Sequence, residues 1–353
     1  MTDSRPNPAE DRSGDSIGRL AELIAGDPMT QLDADMKHVL DRLADMGARP
    51  LERLTPEMAR RQPRPAEAIS AVLGRQGRER PEDGVEAEDV SLPGAEGELA
   101  GRIYRPIGLL SRLNPVVLYF HGGGFVTGDL DSHDASARAL ARRTGAIVVS
   151  VAYRLAPEHK FPAAHEDAWA AWRWLTEKVR DIAGDQRRLA VAGEDAGANL
   201  AANVALRARD EGTTRPVHQV LIHPIAGNDL TTASYGETLR AQPIGLPAMR
   251  WRFRHVFAAE ADAEDARINL VGRDDLAGVA PATLVLAGID PLRSEGEALA
   301  EAFEHAGVPV NCWTYEGVTQ GFFGLGLVVT KALFAQSDTA DALSKAFAPG
   351  RRS

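Results

Sequence analysis

The chain has 353 residues, 44% of them hydrophobic and 25% charged, with a formal net charge of −10 and one cysteine. That composition is ordinary for a globular protein. The acidic balance argues against nucleic acid and anionic membrane as partners, a single cysteine excludes an intrachain disulfide framework, and no stretch reaches the roughly 18 apolar residues of a membrane span.

Residues 1–16 are polar and acidic with no apolar signal-peptide core, so they are expected to be disordered and the chain to be cytoplasmic. Next, Met36, Val39, Leu40, Leu43 and Met46 recur at helical spacing and stop at Gly47, and Thr55-Pro56-Glu57 reads as an N-cap with proline at N1. Residues 17–75 are therefore expected to be helical. Residues 90–105 alternate in the manner of an antiparallel edge hairpin. Continuous apolar runs follow at 116–120, 147–151, 189–192, 220–222 and 283–287, separated by helix-period segments such as 163–179 and 198–208. Strands alternating with helices over residues 76–345 predict an α/β fold with a mostly parallel, doubly wound sheet. Cys312, in the apolar run Val310-Asn311-Cys312-Trp313, is expected to be a buried thiol, and 346–353 form a tail.

The most informative motif is Gly193-Glu194-Asp195-Ala196-Gly197, the frame of a nucleophile elbow with an aspartate where serine is required. Together with His121-Gly122-Gly123-Gly124-Phe125, Tyr153-Arg154-Leu155-Ala156-Pro157-Glu158-His159 and Asp290-Pro291-Leu292-Arg293, it resembles the hormone-sensitive-lipase-like branch of the α/β-hydrolases from about residue 30 to residue 330. The resemblance implies an α/β-hydrolase fold with a helical cap built from residues 17–75 and an excursion at about 227–275. It implies oxyanion-hole N–H groups at Gly122, Gly123 and Ala196, with Gly124 completing the turn, and the triad acid at Asp290. The family's histidine turn reads Gln320-Gly321-Phe322 here. Two triad members, Asp195 and Gln320, are thus replaced.

An aspartate and a glutamine supply neither a hydroxyl nucleophile nor a base titrating near neutrality. Covalent catalysis by Asp195 is disfavoured too, because attack on an ester gives a reactive mixed anhydride and no histidine activates water. The expectation is cofactor-independent acid–base chemistry by Asp195 on a carbonyl-bearing apolar molecule, an elimination, isomerisation or cyclisation, in secondary metabolism. Gln320 would bridge Asp195 and Asp290 by its two N–H donors. Two alternatives stand beside it: a carboxylesterase-type hydrolase with an altered or inactivated triad, and a small-molecule receptor, since gibberellin receptors resemble this family and lack a working triad histidine.

Other candidates weigh less. Asp129-Leu130-Asp131-Ser132-His133-Asp134 has hard and borderline metal donors, yet the family carries a similar loop without metal, so no metal is expected. His165 and His223 are candidate replacement bases, with a structural role the simpler reading. Trp169, Trp172 and Trp174 share one helical segment and are expected in the core. Met249, Trp251, Phe253 and Phe257 would shape an apolar lid. The expected partner is a small molecule; the family often forms homodimers, and nothing in this sequence fixes the oligomeric state.

Overall fold

The computed structural model describes residues 27–77, 84–108 and 113–348. The expected disordered start at 1–16, the first residues of the expected helical stretch, and most of the tail lie outside them. Eight strands form one sheet in the order β1-β2-β4-β3-β5-β6-β7-β8. They are β1 Val85–Pro93, β2 Glu98–Pro106, β3 Asn114–Phe120, β4 Ile147–Val151, β5 Gly184–Glu194, β6 Gln219–Ile222, β7 Ala282–Ile289 and β8 Val310–Thr319. The hairpin β1–β2 and the pair β2–β4 are antiparallel, and all other pairings are parallel.

Every residue of β4, β6 and β7 is buried, as for strands covered on both faces. Along β3 the side chains alternate between two cores: Val116, Leu118 and Phe120 join one, Val117 and Tyr119 the other. Sheet-flanking helices are α4 Asp134–Thr144, α5 Ala163–Lys178, α6 Ala196–Asp210, α9 Arg293–His305 and α10 Thr330–Phe347, preceded by α1 Ala34–Asp45, α2 Pro56–Arg60 and α3 Pro65–Arg75. The Thr55 hydroxyl accepts the Met58 N–H at the start of α2, as the sequence predicts. Trp169 and Trp172 of α5 are buried in the core, and Trp172 Nε1 donates to the Thr214 carbonyl.

Cys312 corrects its expectation, because it is exposed. β8 is an edge strand whose Asn311, Cys312, Thr314 and Glu316 face solvent, so its apolar run is half a strand's worth of core and not a buried segment.

Between β6 and β7 the chain leaves the sheet and forms α7 Ala233–Glu237 and α8 Leu246–Val256. The early segment is fastened to this excursion and to the loops after β3 and β4 by a few polar contacts. Arg60 of α2 donates to the carbonyls of Val126 and Ala156 and pairs with Glu158. Trp251 Nε1 of α8 donates to the Leu54 carbonyl at 2.9 Å, and Arg64 pairs with Asp129 and Asp131. Among the described residues no helix is long and apolar enough to cross a membrane.

Candidate functional site

The site is organised by a corner between β5 and α6. Asp195 stands there with φ 56° and ψ −115°, a conformation that non-glycine residues rarely adopt. Two glycines make the corner possible. A Cβ on Gly193 would lie 2.1 Å from the Gly197 carbonyl oxygen, and one on Gly197 would lie 2.1 Å from the Phe120 carbonyl oxygen. The Asp195 N–H donates to the Ile222 carbonyl at 2.9 Å, tying the corner to β6. This is elbow geometry with a carboxylate at its tip.

That carboxylate is buried and surrounded by donors. Oδ2 accepts the N–H groups of Gly123 at 2.9 Å and Gly124 at 2.8 Å. Arg252 of α8 completes the shell, with Nη2 3.2 Å from Oδ2 and Nη1 donating to Oδ1 at 3.3 Å. Arg252 is itself only 4% exposed, and it lies so close to Gly124 that a Cβ there would stand 2.3 Å from its Cδ. The backbone of the glycine turn, with φ +121° at Gly123 and +59° at Gly124, suits residues without a Cβ.

The expected donor set needs correcting at one position. The Gly122 N–H donates to His133 Nε2 at 3.1 Å and so does not serve the carboxylate. His133 is held for this by Ser132 Oγ, 2.9 Å from Nδ1. Gly124, in the turn's third glycine position, takes the role instead. Ala196 follows Asp195 as the first, fully buried residue of α6.

Asp290 follows β7. Its Oδ1 accepts the Leu292 N–H at 2.9 Å, while Oδ2 has no hydrogen-bond partner. Burial pushes its carboxyl up to about 7, aided by the Asp195 charge and opposed by the Leu292 N–H and Arg252. Gln320 follows β8 and is 5% exposed, and both its amide atoms lack a partner. The expected Gln320 bridge between the two carboxyls therefore does not form. Asp195 is turned into the glycine turn and onto Arg252. A buried amide atom left unpaired costs about 1–3 kcal/mol.

The two histidine candidates part company. His165 Nε2 donates to Asn199 Oδ1 at 2.8 Å, and the ring packs on Phe125 and Phe161. It lines a separate small cavity with Trp169 and Arg207, away from Asp195. His223, with φ +35°, lines the same cavity as Asp195 and has Nε2 3.7 Å from Glu194 Oε2 and Nδ1 unpartnered. Glu194 in turn accepts the Tyr119 hydroxyl at 2.6 Å. Burial pushes both imidazoles down to about 4, so both are neutral near pH 7.

The acidic loop is consumed by structural contacts. Asp129 caps Ser132 and pairs with Arg64, Asp131 pairs with Arg64 and Arg102, and Asp134 meets Tyr104 and Arg138. Among the described residues no group of His, Cys, Asp and Glu is arranged to hold a metal ion.

Above Asp195 lies a cavity of about 280 Å³. Its lining combines the apolar Leu43, Leu51, Ala59, Pro243 and Ile244 with the charged Arg49, Arg60, Arg64, Asp129 and Glu194, and it includes Gly123, Asp195, His223, Arg252 and Gln320. The expected aromatic lid does not border it. Met249 and Trp251 are core residues, and Phe253 and Phe257 line a different groove on the outer side of α8. Arg252 is the site residue that sequence reasoning missed. It sits 57 residues from Asp195 in the run Arg250-Trp251-Arg252-Phe253-Arg254, where nothing in the spacing marks the middle arginine.

Comparison with known proteins agrees with this geometry. A family model described as an alpha/beta hydrolase fold matches residues 117–324. Esterase LipI of Mycobacterium tuberculosis is 43% identical over 247 residues, covering 69% of this chain and 77% of that protein. The gibberellin receptor GID1B of Arabidopsis thaliana is 30% identical over 251 residues, covering 64% and 70%. Among solved structures, a Pyrobaculum calidifontis esterase superposes with a TM-score of 0.77 at 34% identity, covering 89% of this chain and 98% of its own. Sheet order, elbow and glycine turn agree with these matches: the chain belongs to the α/β-hydrolase fold family, in its hormone-sensitive-lipase-like branch with the carboxylesterases.

Proposed function

We propose that this protein is a carboxylesterase-type α/β-hydrolase with an inactivated triad, which holds an uncharged small molecule above Asp195 instead of hydrolysing it. Asp195 takes the place of the serine nucleophile and Gln320 that of the histidine base. The observation that carries the reading is the position of Asp195 Oδ2, 2.8–2.9 Å from two N–H groups of the glycine turn. Those donors stabilise a developing oxyanion in acyl transfer. Here a resident carboxylate uses them, and a substrate carbonyl finds them taken.

Elimination, isomerisation or cyclisation by Asp195 would use the same carboxylate as the proton carrier. It would first have to leave the glycine turn and Arg252, so occupying the hole and serving a carbonyl bound in that hole exclude one another. Binding without turnover needs no such displacement. The neutral His223 lies in the cavity as a hydrogen-bonding wall.

The test is p-nitrophenyl butyrate hydrolysis by the wild type, Asp195→Ser, Gln320→His and the double variant. Arg252→Met is added to each Asp195→Ser protein so that no unpaired guanidinium remains. The wild type is expected at background. The combined Asp195→Ser/Gln320→His protein is expected to gain about a hundredfold or more over either single change, because nucleophile and base act as a unit. Rapid hydrolysis by the wild type would refute the proposal.

A further inference from the structure

We infer that the ligand of this cavity is an uncharged amide, a carboxamide or lactam on an apolar body, recognised through Gln320; the inference rests on the binding role proposed above. With the N–H groups of Gly122, Gly123 and Gly124 all engaged, the glycine turn offers a ligand carbonyl no donor, and side chains of the cavity are the next candidates. Three side chains of the lining keep polar atoms without a protein partner: Gln320 at both Nε2 and Oε1, Arg252 at Nε, and His223 at Nδ1. Their residues are 5%, 4% and 2% exposed. Buried polar atoms in native proteins are paired as a rule, and these three residues line the cavity that also contains Asp195.

The identity of the unpaired atoms selects the ligand. A primary amide offers a donor and an acceptor side by side in one plane, and its complement is a second amide that presents an acceptor and a donor in the same plane. Esters and ketones accept only and would leave Gln320 Nε2 satisfied but Oε1 bare. Of the charged residues in the lining, Arg252 pairs with Asp195, Arg60 with Glu158 and Arg64 with Asp129 and Asp131, and the anion probe below reads whether Arg49 admits a carboxylate. The walls of Leu43, Leu51, Ala59, Pro243 and Ile244 take an apolar body. The four unpaired atoms are screened from solvent, so the inference requires the Gln320 side chain to turn its amide into the cavity as the ligand enters.

The experiment is titration calorimetry on the full chain with three matched probes: 2-phenylacetamide, methyl phenylacetate and phenylacetate anion. The amide is expected to bind about tenfold or more tighter than the ester and the anion. Gln320→Leu is expected to reduce that preference to less than about twofold, with an unchanged melting profile showing that the variant is folded; Gln320→Asn is the second variant should the leucine protein fail to fold. Equal binding of ester and amide, an amide affinity unmoved by both Gln320 changes, or no amide binding up to its solubility limit would each overturn the assignment. Hydrolysis of methyl phenylacetate by the wild type would instead overturn the non-hydrolytic role, and the amide preference would be read separately from binding.

Discussion

Replacing Arg252 by leucine tests whether the Asp195–Arg252 pair holds the site together. At 3.2 Å and an effective dielectric near 20, the attraction between unit charges is about 5 kcal/mol. Desolvation of two buried ions offsets most of it. What the substitution leaves behind is a buried carboxylate whose remaining partners are the N–H groups of Gly123 and Gly124. Removing one member of a buried pair typically loses about 3–5 kcal/mol, and those two hydrogen bonds place the expected loss near the lower end, about 3 kcal/mol. Urea unfolding at pH 7 of Arg252→Leu, Asp195→Ser and the double variant closes a cycle. The double variant is expected to recover most of the loss, giving a coupling of about 2 kcal/mol or more. Arg252→Lys should recover only part, since a point charge cannot engage both carboxylate oxygens as the planar guanidinium does. An Arg252→Leu protein within about 0.5 kcal/mol of wild type, or strictly additive single changes, would refute the reasoning.

Stability should also depend on pH with a maximum at about pH 7. His121, His133, His165, His218 and His223 are each pushed down to about 4, chiefly by burial. The unfolded chain protonates them below about 6.5, so the stability they carry is complete above that pH and is lost as pH falls toward 4. Asp290 and Glu295 act in the opposite sense. Burial raises them to about 7 and about 8, the fold retains protons that the unfolded chain releases above about 4, and stability declines as pH climbs through that window. From about pH 5 to about pH 7 the five imidazoles outweigh the two acids, and beyond that the acids prevail. Urea midpoints at three pH values across this range check the sign, and a midpoint still rising at about pH 8 would refute it. Gly197→Ala drives a Cβ to within 2.1 Å of the Phe120 carbonyl oxygen and should lose more than about 3 kcal/mol or abolish soluble expression. Gly212→Ala, with φ +63° but nothing within 4 Å of its Cβ, should lose only about 1 kcal/mol. Equal losses at the two positions would show that the close approach at the elbow does not matter.

Much of this molecule can be read from local pattern. The strands β3 to β7 are apolar runs bounded by breakers, and fully covered strands have no other way to appear in a sequence. The elbow is legible because Gly193 and Gly197 are required by backbone contacts that any side chain would violate. β8 was missed because an edge strand buries one face only, so its run of apolar residues is broken by Asn311, Thr314 and Glu316. Which N–H groups of the glycine turn reach Asp195 depends on His133 claiming Gly122, a choice made by ring placement and not by the motif. Arg252 was invisible for a different reason. A guanidinium on a helix is ordinarily a solvated surface group, and only the path of the chain between β6 and β7 brings this one onto Asp195. The Gln320 bridge, natural on paper between two carboxyls, lost to that arginine.

The fastening of the early helices over the cavity has a kinetic consequence. The wall formed by Leu43, Leu51 and Ala59 is held down by Arg60 on the carbonyls of Val126 and Ala156, by the Trp251 hydrogen bond to Leu54, and by the more exposed Arg64 ion pairs. A molecule in the cavity is covered in part by the segment that those contacts hold. Loosening that segment widens the way out, so weakening Arg60 should shorten occupancy of the site while leaving its chemical preference unchanged.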